Sequence, residues 1–562
     1  MADDNLITRI YSNFRGVDFR GEEINLVRSP DSLNVWKDYK ETESIRTRPE
    51  MELKHSFSDR IYGIFFYNDE MLVHSGTTLY KVVNGTKTTL KTGLSAAKSY
   101  GFVFDNVWYF KDGEHYLKYD GATIGDVVGY VPTISIGRKP GGGGTDHEDA
   151  NYLTPRRINT FLGDGASKEY LLSHLKIDSN FTPIVKVLND QGNWEEKSGF
   201  TVDYENGKIT FTEAPPAPLT EGQDNVSIEF SKTIDKYKTI IQKCTLLQVF
   251  DNRVFFGGNP DYPNVVYHSS LNDPSYCSDL DYYNEGTDKA RVKGMVAGNN
   301  ALWVFREPSQ ANTTVFYHTP TIDDEYGKIY PNTHSSVTTG CIGAAVNFND
   351  DIVFFSERGM EGISGDVTTE QVLGHRSALV DRKLIAEKNY ENMCLAEWEG
   401  YLLVFIDNKV YLADSRAIFT NEDHYEYDWF YWELSKNITC ATVDKGVLYL
   451  GTTDGVYTLT DYESAVESYW VTPKDKFKYP QKLKTTNKRG CVVEATGDIS
   501  VYAKLEDTEF ELIGTYEEVT DYFVSRIKRK KFKDLQLKFY SPTRFSLETV
   551  TIEAFLGGYI KR

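Results

Sequence analysis

Cysteine is scarce in this chain and scattered. Cys244, Cys277, Cys341, Cys394, Cys440 and Cys491 are its only six, and no two form a CxxC pair. That spacing offers no zinc ribbon and makes a disulfide framework a poor reading for so long a chain, so buried free thiols are expected. No run approaches eighteen consecutive apolar residues, so no helix is expected to span a membrane. The opening MADDNLITRI lacks a basic segment followed by an apolar one, and no secretory signal is expected. The glycine run at 141–144 lacks the Lys-Ser/Thr ending of a phosphate-binding loop. Neither a Gly-x-Ser-x-Gly elbow nor a His-Glu-x-x-His run occurs. Positive charge is also short: 62 basic residues face 82 acidic ones, a formal net charge of -20. A surface of that sign repels the phosphate backbone and argues against tight duplex binding by the whole chain.

Aromatic residues and glycine are plentiful, with 38 Tyr, 31 Phe and 43 Gly in 562 residues. Aromatics suit pleated, partly buried surfaces, and the composition points to a mainly-β chain of several domains. Short apolar hairpins recur at 61–82, 100–119, 246–258, 301–309, 346–364, 398–414 and 442–459. Each is an aliphatic or aromatic strand, a short polar turn such as Asn68-Asp69, Asp105-Asn106 or Asp251-Asn252, and a second strand. Asn, Asp and Gly tolerate the backbone angles such turns need. The later units start roughly 45 to 55 residues apart and the first two about 40, as blades of a propeller would. The expected fold is therefore a β-propeller of six to seven blades.

Residues 137–150, GRKPGGGGTDHEDA, form a glycine-rich hinge, and 151–232 alternate as a small β domain inserted into the propeller would. The expected division is an N-terminal arm over 1–56 serving ring contacts or closure, first blades over 57–150, the insert, and remaining blades over 233–460. A C-terminal β region over 461–562 completes it. A short helix is expected near LVDRKLIAEKNYENM. A propeller closes by borrowing a strand from the far end of the chain, because an open edge invites unwanted pairing.

Candidate chemistry is thin. His74 and His115 sit beside aromatic or turn residues and are read as packing or surface groups. His147 stands among Asp146, Glu148 and Asp149, His424 lies in NEDHYEYDW, and Asp323, Asp324 and Glu325 form a third acidic cluster. None has the alternating oxygen ligands of a cation loop. Paired carboxylates could hydrolyse glycosides, but solvated charge explains these clusters. No catalytic residue, cofactor or metal is expected. The basic stretch SRIKRKKFKD offers Lys528, Lys530 and Lys531 as contacts for an acidic partner or for phosphates.

Residues 252–277, NRVFFGGNPDYPNVVYHSSLNDPSYC, resemble the hairpin-and-loop motif of bacteriophage tail tubular protein B, the tail nozzle family, at Asn252, Arg253, Gly258, Asn259, Pro260, Ser269, Asp273, Pro274 and Tyr276. Residues 338–364 look similar through Cys341, Asp350, Phe354, Gly359 and Gly362, and residues 14–51 through Arg28-Ser29-Pro30-Asp31, Asn34, Asp38 and Thr47-Arg48-Pro49. The resemblance implies a structural protein of the virion tail, assembled in the host cytoplasm. It also implies a homo-oligomeric, hexameric ring at the distal end of the tail. That ring would dock on an adaptor or gatekeeper protein, carry fibres or a tip, and pass double-stranded DNA during ejection along an acidic wall. Arg28 and Asp31 would be interface residues.

Two other functions fit the sequence. One is a receptor- or glycan-binding β-propeller of the tail, stacking sugars on Trp429 and Trp432. The other is a glycoside hydrolase acting on host surface polysaccharide.

Overall fold

The computed structural model describes residues 5–39, 44–234, 237–324, 327–364, 372–416, 427–527 and 531–560. Lys528, Lys530, Glu325 and His424 lie outside these residues. The chain is mainly β, with one large sheet and a set of smaller ones. It divides into two compact units, residues 1–92 with 335–562, and residues 93–334.

Seven of the smaller sheets have four antiparallel strands each. In chain order their first hairpins are Ile61–Tyr67 with Glu70–Ser75, Tyr100–Phe104 with Val107–Lys111, Leu246–Phe250 with Arg253–Gly257, and Val292–Gly298 with Ala301–Arg306. Then come Ala345–Phe348 with Asp351–Ser356, Cys394–Trp398 with Tyr401–Ile406, and Cys440–Asp444 with Val447–Gly451. The same device joins every one of these hairpins: two residues, both with positive φ. They are Asn68-Asp69, Asp105-Asn106, Asp251-Asn252, Asn299-Asn300, Asn349-Asp350, Glu399-Gly400 and Lys445-Gly446. Such a turn matches the right-handed twist of the flanking strands, which is why Asx and glycine recur at these points.

The last of the seven sheets has only three strands from its own stretch of chain. Its fourth is Glu50–Ser56, which runs antiparallel to Gly455–Asp461 with Thr458 opposite Glu52.

In the second unit, six strands from Thr133–Arg138 to Val226–Ser231 form one sheet, and Glu169–Leu171, Lys208–Phe211 and Phe200–Asp203 form another. These two sheets share a core of Phe161, Tyr170, Val185, Ile209, Ile228 and Phe230, separate from the other clusters. Gly144 turns the chain between Thr133–Arg138 and Thr145–Asp146 at φ +99, where a Cβ would meet the Ile136 carbonyl at 2.9 Å.

The large sheet belongs to the first unit and has eleven strands, seven of them on its main path. Its axis is the 24-residue strand Lys482–Leu505. Along it Cys491, Val493, Ala495, Ile499, Val501 and Ala503 alternate into the core, the period of two that places one face inward. One edge of this strand is lined in sequence by Glu511–Val519, Tyr522–Ser525 and Lys531–Phe532. The other edge is lined by Leu535–Ser541 and Phe545–Tyr559.

The N-terminal segment ties this sheet to the neighbouring four-stranded ones. Ser29 donates its hydroxyl to the Val471 carbonyl at 2.7 Å. Asn34 donates to the Glu467 carbonyl at 2.9 Å and accepts from the Arg48 guanidinium and the Glu433 N–H, both at 2.9 Å. Trp36 stacks on Trp398, ring centroids 5.4 Å apart, and meets the edge of Trp432 at 5.6 Å. All six cysteines are free and buried.

Candidate binding surface

Two neighbouring hairpin tips can frame a hollow between them. The second unit contains one. Phe250, Asp251, Asn300, Thr319 and Pro320 line a concavity of about 360 Å3, within the range of roughly 300–1,000 Å3 typical of small-ligand sites. Asp251 comes from one two-residue turn and Asn300 from another, with Thr319 and Pro320 following the strand Val315–His318. Three polar side chains thus converge beside an aromatic ring and a proline.

Asp251 is fixed from behind. The buried Tyr330 hydroxyl donates to its carboxylate at 2.6 Å, and the Lys328 ammonium lies 2.5 Å from the same oxygen. Arg253 donates its Nε–H to the Tyr330 hydroxyl at 3.2 Å and an Nη1–H to the Ser269 carbonyl at 3.0 Å. Partial burial would raise the Asp251 carboxyl; the bonds from Lys328 and Tyr330 outweigh it and hold it below the ordinary aspartate value. Burial, reinforced by the carboxylate, pushes the Tyr330 hydroxyl up to about 12. Asp251 is therefore an oriented anion.

The motif residues singled out in the sequence have local structural work. Asn252 is the second turn residue, at φ 57. Gly258 has φ +69, and a Cβ there would lie 2.5 Å from the Thr245 hydroxyl. Asn259 is buried, donates to the Ile240 carbonyl at 2.8 Å and accepts from the Asp261 N–H ahead of Pro260. Asp273 accepts from the Ser275 N–H and hydroxyl, and the Pro274 carbonyl accepts from Tyr116. Cys341 is buried near the Gly343 carbonyl. Gly362 leaves room for the Arg376 guanidinium, which a Cβ would meet at 2.6 Å.

The interface candidates separate. Arg28 is buried and pairs with Asp428 at 2.7 Å, bracing the chain internally. Asp31 is half exposed, lies 3.5 Å from Lys383 and accepts from the Tyr469 hydroxyl. Lys531 is exposed and lines a cavity of about 200 Å3 in the large sheet. Trp429 and Trp432 cannot stack on sugars: both are wholly buried, their indole N–H groups donating to the carbonyls of Arg376 and Val35. They sit on the strand Asp428–Glu433, which is buried on both faces until its last residue.

Histidines and acids are taken up structurally. His74 is buried against Tyr62. His115 meets Asp112 at 2.9 Å, while Asp112 also caps the N–H groups of Ser95, Glu114 and His115. The cluster around His147 disperses: Glu148 accepts from the Thr133 N–H and the Tyr130 hydroxyl, and Asp149 accepts from Ser278. Among the described residues no group of three His, Cys, Asp or Glu is arranged to hold a metal ion.

The arrangement nearest to a nucleophilic triad is His375, Asp381 and Ser377. His375 contacts Asp381 at 2.5 Å and Glu361 at 3.4 Å, and the Ser377 hydroxyl donates to Asp381 at 2.6 Å. The bonds to Asp381 and Glu361 raise His375 to about 9. An imidazolium held between two carboxylates cannot act as the base, and the serine points at the acid.

No family model matches the chain, and no curated protein matches it. Solved structures similar to it include BamB from Moraxella catarrhalis, 11% identical over 73% of this chain and 96% of that one, TM-score 0.33. Hsv2 from Kluyveromyces lactis is 8% identical over 74% and 94%, TM-score 0.31. PorZ, a surface component of the type-IX secretion system of Porphyromonas gingivalis, is 13% identical over 83% and 70%, TM-score 0.18. At these scores none bears on what this chain binds.

The neighbours are bacterial and yeast propeller proteins, and the tail nozzle expectation is corrected accordingly. With it fall the virion tail location and assembly in a host cytoplasm, the hexameric ring with its gatekeeper and fibre partners, and the channel for DNA ejection. Loose motifs such as Gly-Asn-Pro and Asn-Arg-hydrophobic arise wherever hairpins need the same turns, which is how they misled. No helix among the described residues is long and apolar enough to cross a membrane.

Proposed function

We propose that the chain is a non-catalytic recognition protein, a seven-bladed β-propeller with the 133–231 β domain set between its second and third blades. Its ligand is a polar, sugar-like group held in the concavity at Asp251, Asn300 and Thr319. The blade reading is supported by seven four-stranded sheets in chain order with the same turn in each first hairpin. The strand Glu50–Ser56, completing the last sheet, supports closure.

One observation carries the binding reading: the concavity at the two hairpin tips, lined by Asp251, Asn300 and Thr319 together with Phe250 and Pro320. Hydroxyl-rich ligands donate to carboxylates and exchange bonds with amides and hydroxyls, while their C–H faces pack on aromatic rings. The lining has one carboxylate, Asp251. Glycoside hydrolysis ordinarily needs two flanking the bond, so no turnover is expected.

The test is a glycan array probed with the wild-type chain and with Asn300→Gly/Thr319→Val, which keeps the turn's backbone angles. Retention of specific glycans by the wild type, weakened at least tenfold in the variant, is the expected result. Equal binding by both, or release of reducing sugar by the wild type, overturns the reading.

A further inference from the structure

We propose that a groove on the outer face of the large sheet, built around Glu494 and Tyr522, takes an arginine side chain of a partner protein. The groove lies on a different sheet from the hairpin-tip concavity, and the inference stands whether or not that concavity binds sugar.

Strand register builds the groove. Along Lys482–Leu505, Cys491, Val493 and Ala495 turn into the core, so Val492 and Glu494 face outward. On the neighbouring strand Phe545–Tyr559, Val550 and Ile552 are buried, which puts Thr549 and Thr551 on the same outer face. Glu494 has Thr549 opposite it on one side and Tyr522 on the other. Val492, Glu494, Tyr522, Thr549 and Thr551 line a hollow of about 320 Å3. Side chains opposed across a strand pair stand close enough to interact, so the carboxylate, the ring and the hydroxyls can address one ligand.

Charge selects a cation. Among the described residues no lysine, arginine or histidine pairs with Glu494. Residues 490–503, 520–525 and 545–559, which frame the groove, contain no lysine or arginine. Asp251 in the hairpin-tip concavity differs, because Lys328 already answers its charge. A hydroxyl-rich ligand would leave the charge of Glu494 unanswered, whereas a cation from a partner complements it.

The remaining lining narrows the cation to a guanidinium. Tyr522 is 67% exposed. A planar guanidinium stacks on an aromatic ring while its N–H groups pair with a carboxylate, which a compact ammonium does less well. It carries five donors and no acceptor. The Glu494 carboxylate and the hydroxyls of Tyr522, Thr549 and Thr551 can all accept from it, and Val492 offers apolar surface to the methylene stem.

An apolar row beside the groove points to a protein as the bearer. Val524, Val492, Thr551 and Ile10 lie opposite one another across four strands. Val524 is 41% and Ile10 57% exposed. A free guanidinium compound would leave that row in water, whereas a protein surface presenting the arginine would cover it.

The experiment uses the full chain and three fluorescent acetylated peptides of three Gly-Ser-X repeats. X is arginine, lysine or citrulline, the neutral isostere of arginine. Anisotropy measures affinity, and methyl NMR reports on Val492, Thr549 and Thr551. The arginine peptide is expected to bind at least tenfold tighter than the citrulline peptide and about threefold tighter than the lysine peptide, shifting those methyl signals. Glu494→Gln should weaken it at least tenfold and Tyr522→Leu about threefold. Asn300→Gly/Thr319→Val should bind it as the wild type does. No binding, equal affinity for citrulline, or unmoved methyl signals overturn the proposal. Equal weakening by Glu213→Gln, an exposed acid of the other unit, also overturns it, since the attraction is then diffuse. So does acetylarginine amide binding as tightly as the peptide, because no protein is then required. Loss of glycan retention in Glu494→Gln overturns it too, making the groove a sugar site. Should either groove variant fail to fold, the peptide ratios and methyl shifts of the wild type decide.

Discussion

A methyl group placed on Gly16 would lie 1.9 Å from the carbonyl oxygen of Trp429. The N–H of Val17 donates to that same oxygen at 2.7 Å. Glycine at 16, with φ +80, is what lets the N-terminal segment lie directly against the strand Asp428–Glu433. Gly16→Ala meets both a left-handed backbone and a fixed carbonyl, and is expected to cost about 3 kcal/mol or more. The midpoint of urea unfolding, compared at equal slope, measures it.

Asp428 answers two guanidinium groups. Arg15 approaches at 2.8 Å and Arg28 at 2.7 Å, all three side chains being largely buried. Removing the acid strands two cations in a poor solvent, so Asp428→Ala is expected to destabilise by about 3–5 kcal/mol. Arg28→Met, which removes one charge and keeps the volume, is expected to cost distinctly less. Equilibrium unfolding of both variants provides the comparison.

His375 gives a pH signature. Hydrogen bonds to Asp381 and Glu361 lift it from 6.5 to about 9. The folded value is raised, so the cluster's contribution to stability is complete below about 6.5 and is lost as pH climbs through about 9. An NMR titration of the His375 ring should give a midpoint near 9, falling markedly in Asp381→Asn. The melting temperature of the wild type should decline across the same interval more than that of the variant.

The hairpins were legible because their signal is local: an Asx or glycine pair between two apolar runs states both the turn and the strands. The N-terminal segment was not. Arg28 meets Asp428, and Asn34 meets Glu433 and Glu467, across hundreds of intervening residues. No local window of sequence contains both partners of these contacts. Trp429 and Trp432 were misjudged for a related reason. A strand buried on both faces has no alternation to mark which side chains are accessible, and Asp428–Glu433 is such a strand. The hairpin-tip concavity was half visible. Asp251 stood out as a turn residue, but its pairing with Asn300 and Thr319 depends on two sheets lying side by side, which no single window of sequence contains.

The pairing of Glu50–Ser56 with Gly455–Asp461 joins segments about 400 residues apart. During synthesis the earlier segment leaves the ribosome long before its mate exists, and must stay unpaired while the six other four-stranded sheets take shape. Its sequence, EMELKHS, is charged and only modestly apolar, which suits a strand that has to wait in water. Completion of the last sheet is thereby a late, slow event, and a nascent chain stalled before residue 455 would carry a dangling arm open to proteases.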